Sequence, residues 1–138
     1  QKVSDDAVMG ELLEIKRKIT TFTELITDRT RTAFFMVLIP EKMAILDTDR
    51  AISMFRALHI EMSGVIVNQI YPVELLDKPN LSAFLRNRIE MQQRYLAEIR
   101  SSFGEYVVGT LPMYDREPKG FEMIARVSAD LLGGRVVL

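Results

Sequence analysis

The sequence predicts an α/β fold, a three-layer sandwich around a mainly parallel sheet, on three observations. Short continuous apolar runs at Ala33 to Ile39, Gly64 to Ile70 and Tyr106 to Leu111 read as strands buried on both faces. Segments of helical period separate them, and crossovers of that length imply right-handed parallel connections. The runs end in the tips Ile39-Pro40-Glu41, Val67-Asn68-Gln69 and Leu111-Pro112-Met113. A parallel sheet brings such tips to one edge, where open α/β folds bind ligands.

Taken in order, residues 5 to 26 carry Val8, Leu12, Ile15, Ile19, Phe22 and Ile26 at spacings of three and four, one stripe of an amphipathic helix. Core packing is the expected use of such a stripe; a wall of a partner groove is the other. Polar Thr27 to Thr32 ends the helix, the first strand follows, and Pro40 stops it. From Lys42 to Leu58 the positions Met43, Leu46, Ile52, Phe55 and Leu58 return to helical spacing, with Thr48 to Arg50 interrupting the stripe. After the second strand, Tyr71 to Asn80 holds Pro72, Asp77 and Pro79 and reads as a loop or short turn. A longer helix capped near Asn80 or Ser82 then runs to about Phe103, with Leu85, Ile89, Gln92, Leu96, Ile99 and Phe103 on one face. Gly104 closes it, the third strand follows, and a last helix from Phe121 to Leu132 ends at Gly133-Gly134. No internal repeat or low-complexity segment interrupts this order.

A chain of 138 residues buries roughly two-thirds of the surface it exposes when unfolded, which supports one core. Opening on Gln1 without an initiator Met, it reads as part of a longer polypeptide. Net charge of −1 with 27% charged residues argues against a nucleic-acid or anionic-membrane partner recognised through bulk charge. With no cysteine and a single histidine, His59, disulfides, thiolate metal sites and a zinc site in this chain are not expected. No apolar run approaches the roughly 20 residues that span a bilayer, and a cytoplasmic location is expected.

Asn68 is the sharpest candidate. It stands where an apolar strand gives out, and its amide offers the donor and acceptor needed to read the edge of a purine. One such hydrogen bond contributes roughly 0.5–1.5 kcal/mol, enough to orient a base but not to bind a nucleotide alone. The competing reading is an Asn that starts a turn. Pro112 and Met113 supply a rigid φ and an apolar side chain for one wall of a flat slot, or else ordinary punctuation after a strand. Glu41 either binds a ribose, polarises a water or bridges a subunit boundary, or it is an acidic residue favoured at a helix start. Gln92 within an apolar stripe needs hydrogen-bond partners if buried and reads as a structural tie. The arginines Arg86, Arg88, Arg94 and Arg100, with Glu90 and Glu98, read as a solvated face. Neither G-x-x-x-x-G-K-[ST] nor G-x-G-x-x-G occurs among the seven glycines, so no phosphate loop is present.

Phe35 to Glu41 with Asp47-Thr48 and Arg50-Ala51-Ile52, Val65 to Gln69, Arg88 with Met91-Gln92-Gln93, Tyr95-Leu96 and Glu98-Ile99, then Leu111-Pro112, Glu117 and Gly120 occur in an order that resembles the C-terminal half of the anion-transporting ATPase family. That family contains the bacterial arsenite-pump ATPase and the eukaryotic ATPase that targets tail-anchored membrane proteins. The match covers roughly residues 12 to 132.

The resemblance implies the C-terminal part of a dimeric deviant-Walker P-loop ATPase, with residues 1–32 ending an upstream helical subdomain and 33–138 completing the nucleotide-binding domain. By analogy Asn68 contacts adenine, and the loop from Pro112 towards Gly120 covers the ring. Nucleotide-binding residues are then Asn68, Pro112, Met113 and Glu41. ATP and Mg belong to the complete protein; the family's phosphate loop, switch regions and catalytic Asp lie upstream, so no residue here is assigned to catalysis and no hydrolysis is expected of this segment alone. A metalloid or membrane-protein client is implied, with no choice between them. Where eukaryotic targeting members carry the zinc-binding C-x-x-C, Ser82 and Leu85 stand here, and a zinc-bridged dimer is not expected. The alternative, from another class, is a stand-alone interaction module without nucleotide chemistry.

Overall fold

The computed structural model describes residues 2–133, with side chains from residue 6. Helix α1 (Lys2–Thr27) precedes β1 (Phe34–Leu38), α2 (Lys42–Ala57), β2 (Met62–Ile70), α3 (Ala83–Phe103), β3 (Val107–Pro112) and α4 (Gly120–Gly133), with 3-10 turns at Val73–Asp77 and Gly104–Tyr106. The order α-β-α-β-α-β-α is the one the sequence predicts. Helix α4 is described as far as Gly133, and the expected stop at Gly133-Gly134 lies outside the described residues.

The three strands form one parallel sheet in the order β1-β2-β3. Met36 stands beside Val65 and Leu38 beside Val67, so these side chains share a face. Against that face pack Ile45 and Ile52 of α2 and Leu96, Ile99 and Phe103 of α3, which together make the core. Ile89, Ile99, Val65 and Val67 are fully buried. Helix α4 packs against β3, and Gly109 permits the approach, since a Cβ there would stand 2.6 Å from Leu131 Cδ1.

Local chemistry explains where the elements stop. Asp28 turns the chain after α1, accepting at Oδ1 from the Thr30 backbone N–H at 2.9 Å and hydroxyl at 2.7 Å. Those bonds hold its carboxyl below the usual range. Helix α2 ends in a left-handed His59 with φ of 59°, where His59 N–H donates to Arg56 O and Ile60 N–H to Phe55 O. That pair of bonds is a Schellman stop, which accounts for the lone histidine structurally. Ser82 is the observed cap of α3, its Oγ accepting from Leu85 N–H at 3.3 Å.

Four readings are corrected. The α1 stripe does not pack into the core: Val8, Leu12, Ile15, Ile19 and Phe22 are 53–61% exposed, because α1 precedes the sheet and no described element covers it. The first strand is apolar on both sides but covered on one, leaving Phe35 and Val37 more than half exposed at the sheet's edge. In α2 the buried stripe is Ile45, Thr48 and Ile52, so Thr48 continues it, while Met43, Leu46 and Leu58 are exposed. Only part of the charged face of α3 is solvated as expected: Glu90, Arg94 and Arg100 are exposed, whereas Glu98 meets Lys42 at 2.6 Å and Arg86 reaches Leu76 O at 3.3 Å.

Candidate functional site

The C-terminal ends of β2 and β3 lie side by side, and between them and α4 opens a cleft of about 480 Å³. That size falls within the roughly 300–1,000 Å³ of small-molecule sites. Asn68 and Gln69 contribute from β2, and Leu111 and Pro112 from β3. The segment after β3 supplies Met113, Tyr114 and the charged pair Arg116 and Glu117, while Ile124 and Val127 of α4 close the apolar side. A second cavity of about 500 Å³ lies on the other side of the β3 terminus, sharing Leu111 and Pro112. Asn68 and Met113 line only the first.

Hydrogen bonds fix the tips. Met113 N–H donates to Ile70 O at 2.8 Å, tying the end of β3 to that of β2. Gln69 adopts a left-handed φ of 60°, which costs a non-glycine residue roughly 1–2 kcal/mol. Two bonds offset that cost: Gln69 N–H donates to Asn68 Oδ1 at 2.8 Å, and Gln69 O accepts from Gln92 Nε2 at 2.9 Å. The other end of the same amide, Gln92 Oε1, accepts from Tyr71 N–H at 2.7 Å. Gln92 is 8% exposed and is the tie its place in the stripe predicts.

Of the sequence-predicted site residues, Asn68, Pro112 and Met113 come together in one cleft. Glu41 does not join them. It precedes α2 as its N-cap without a side-chain capping bond, and its carboxylate meets Arg88 of α3 at 3.4 Å. Both side chains are more than 40% exposed, a setting in which an ion pair contributes little.

The structure adds partners that the residue-by-residue reading did not reach. Tyr114 donates its hydroxyl to Asp130 Oδ2 at 2.7 Å, and Arg126 lies 5.3 Å over its ring. Burial, then the bond to the Asp130 carboxylate, pushes the phenol up to about 12. This contact fastens the segment after β3 to α4. Ile124 and Val127, three residues apart, carried a helical-period signal, but nothing in it told which cavity they line. Among the described residues no cluster of three His, Cys, Asp or Glu side chains could hold a metal ion, and no helix is long and apolar enough to cross a membrane.

The cleft thus combines a carboxamide at a strand tip, apolar walls and the charged pair Arg116 and Glu117. The sequence profile described as anion-transporting ATPase matches residues 1–133. The chain is 29% identical over 129 residues to the ATPase GET3A of Arabidopsis thaliana, covering 93% of this chain and 35% of that protein. It is 32% identical over 130 residues to a putative arsenical pump-driving ATPase of Chlorobaculum tepidum, covering 94% of this chain and 29% of that protein. Identity to the ATPase GET3 of Eremothecium gossypii is 27% over 124 residues, 90% of this chain and 35% of the relative. The chain thus spans about a third of the length of these relatives. It belongs to the anion-transporting ATPase family.

Proposed function

We propose that this chain supplies the adenine-binding edge of the ATP site in an anion-transporting ATPase. Asn68 orients the base through its carboxamide, and Pro112 and Met113 form a wall of its slot. The single observation behind this reading is that these three residues line one cleft at the C-terminal ends of neighbouring parallel strands, where α/β folds take ligands. Mg and the triphosphate are handled by polypeptide beyond this chain, which has no phosphate loop. When bound, Mg neutralises phosphate charge. This segment alone does not hydrolyse ATP.

In the same reading, residues 1–32 finish a helical subdomain and 33–138 complete the nucleotide-binding domain of a cytoplasmic homodimer. A metalloid or a membrane protein is its client. A stand-alone interaction module is the second reading, favoured by the exposed apolar stripe of α1. The open reading frame separates the two: a G-K-G-G-V-G-K-T-like loop upstream of Gln1 supports the first, a start codon within a few residues the second.

Calorimetry on the full-length protein tests the base contact. Asn68→Ala is expected to weaken ATP binding about fivefold, the size of one lost hydrogen bond. Unchanged affinity removes Asn68 from the site. Phosphate release by the isolated chain is expected at the level of a matched blank, and release above it overturns the division of labour.

A further inference from the structure

We propose that Gln92 is a positioning residue for the cleft, acting through the backbone of Gln69 to aim the Asn68 carboxamide. The inference rests on the reading of the cleft as a base site. Three features of the geometry carry it. Gln92 is a buried amide in an otherwise apolar stripe, and both its ends are spent on the chain at the end of β2, the donor on Gln69 O within the strand and the acceptor on Tyr71 N–H just after it. Gln69, gripped in this way, is one of two non-glycine residues with positive φ among those described. Its inverted N–H then points at Asn68 Oδ1.

That last bond assigns the amide. An N–H must meet the oxygen, so Oδ1 turns towards the backbone and the Nδ2 protons are left for a ligand. Asn68 thus has its Nδ2 protons for a ring nitrogen acceptor, while Oδ1 keeps its second lone pair for an exocyclic amine. Without Gln92, Gln69 is free to leave the left-handed region, where it is strained, and the carboxamide loses the bond that orients it. Ile70, between the two gripped residues, also accepts from Met113 N–H. One side chain of α3 thereby sets both tips of the cleft.

The experiment measures ATP and tripolyphosphate binding by calorimetry in the full-length protein, for wild type, Gln92→Met, Asn68→Ala and the double variant. Tripolyphosphate carries the phosphate charge without a base. Gln92→Met is expected to weaken ATP about fivefold, from the loss of one oriented hydrogen bond, while tripolyphosphate changes by less than about twofold. Asn68→Ala should then cost much less in the Gln92→Met background than in wild type, because the two act as one unit. Should Gln92→Met fold poorly, Gln92→Leu likewise removes both bonds within an apolar stripe, with the same split expected. Wild-type ATP affinity in either variant, equal losses for ATP and tripolyphosphate, or additive effects with Asn68→Ala overturn the positioning role alone. If Asn68→Ala itself leaves ATP affinity unchanged, the base reading fails and the inference falls with it.

Discussion

Helices α1 and α3 carry the same kind of apolar stripe and meet opposite fates. In α3, Ile89, Leu96, Ile99 and Phe103 are at most 4% exposed; in α1, Val8, Leu12, Ile15, Ile19 and Phe22 are at least 53% exposed. Period and residue type do not distinguish them. What differs is connectivity. Helix α3 joins two neighbouring parallel strands, so its crossover must lie on the sheet, whereas α1 joins no pair of the described strands. A stripe establishes which face of a helix is apolar, and topology decides whether anything in the chain covers it.

The largest expected effect follows from that contrast. Ile99→Ala should destabilise the chain by about 2–5 kcal/mol, combining lost burial with a residual cavity. Ile15→Ala, on an exposed face, should stay within about 0.5 kcal/mol. Urea unfolding of the two variants under identical conditions checks the pair. A loss at Ile15 matching that at Ile99 would mean that α1 is covered in solution, by another copy or by a segment that folds back. Repeating the measurement in the longer protein sharpens the comparison, because a partner for α1 there would raise the cost of Ile15→Ala alone.

How much the sequence made legible follows the same line. The second strand, the α3 stripe with Gln92 in it and a cap at Asn80 or Ser82, found at Ser82, were readable because each depends on residues close in the chain. The convergence of Asn68, Pro112 and Met113 was also readable, since parallel strands place their C-terminal ends on one side of a sheet. Exposure was not. Phe35 and Val37 satisfy the pattern of a buried strand, yet no described element covers their second face, and a local pattern does not encode what lies across a sheet. Thr48 looked like an interruption because its hydroxyl hides a methyl-bearing side chain that sits in the core at 3% exposure. Glu41 shares its edge with the cleft residues, but it stands at the end of β1 beside Arg88, 47 positions away in the chain, and does not line the cleft between β2 and β3.

The open face of the sheet offers an intermediate effect. Gly64 lies there between Val108 and Phe35, and a Cβ would come within 2.7 Å of both Val108 methyls and 3.2 Å of Phe35 Cδ1. Gly64→Ala should therefore cost about 1–3 kcal/mol as strand β3 gives way, read as a lower thermal midpoint. A neutral result would show that Val108, half exposed, swings aside without cost. That outcome would extend the contrast: the uncovered face would tolerate added volume that the α3 face rejects.

The smallest expected effect lies where covered and open regions meet, at the Tyr114–Asp130 contact beside the cleft. Tyr114→Phe removes one hydrogen bond and should cost about 1 kcal/mol, since Asp130 can turn to water. Its clearer signature is in alkali. Burial and the Asp130 carboxylate raise the Tyr114 phenol from 10.0 to about 12, so the folded chain holds this proton more tightly than the unfolded one. The contribution is whole below about pH 10 and is lost as pH rises from there through about 12. Tyrosinate absorbance should show a late-titrating phenol in the wild-type chain and none in Tyr114→Phe. If wild type and variant titrate alike apart from one ordinary phenol, the segment after β3 is not fastened to α4 in solution. The cleft would then have one fixed wall, the one that Gln92 holds, and one that moves.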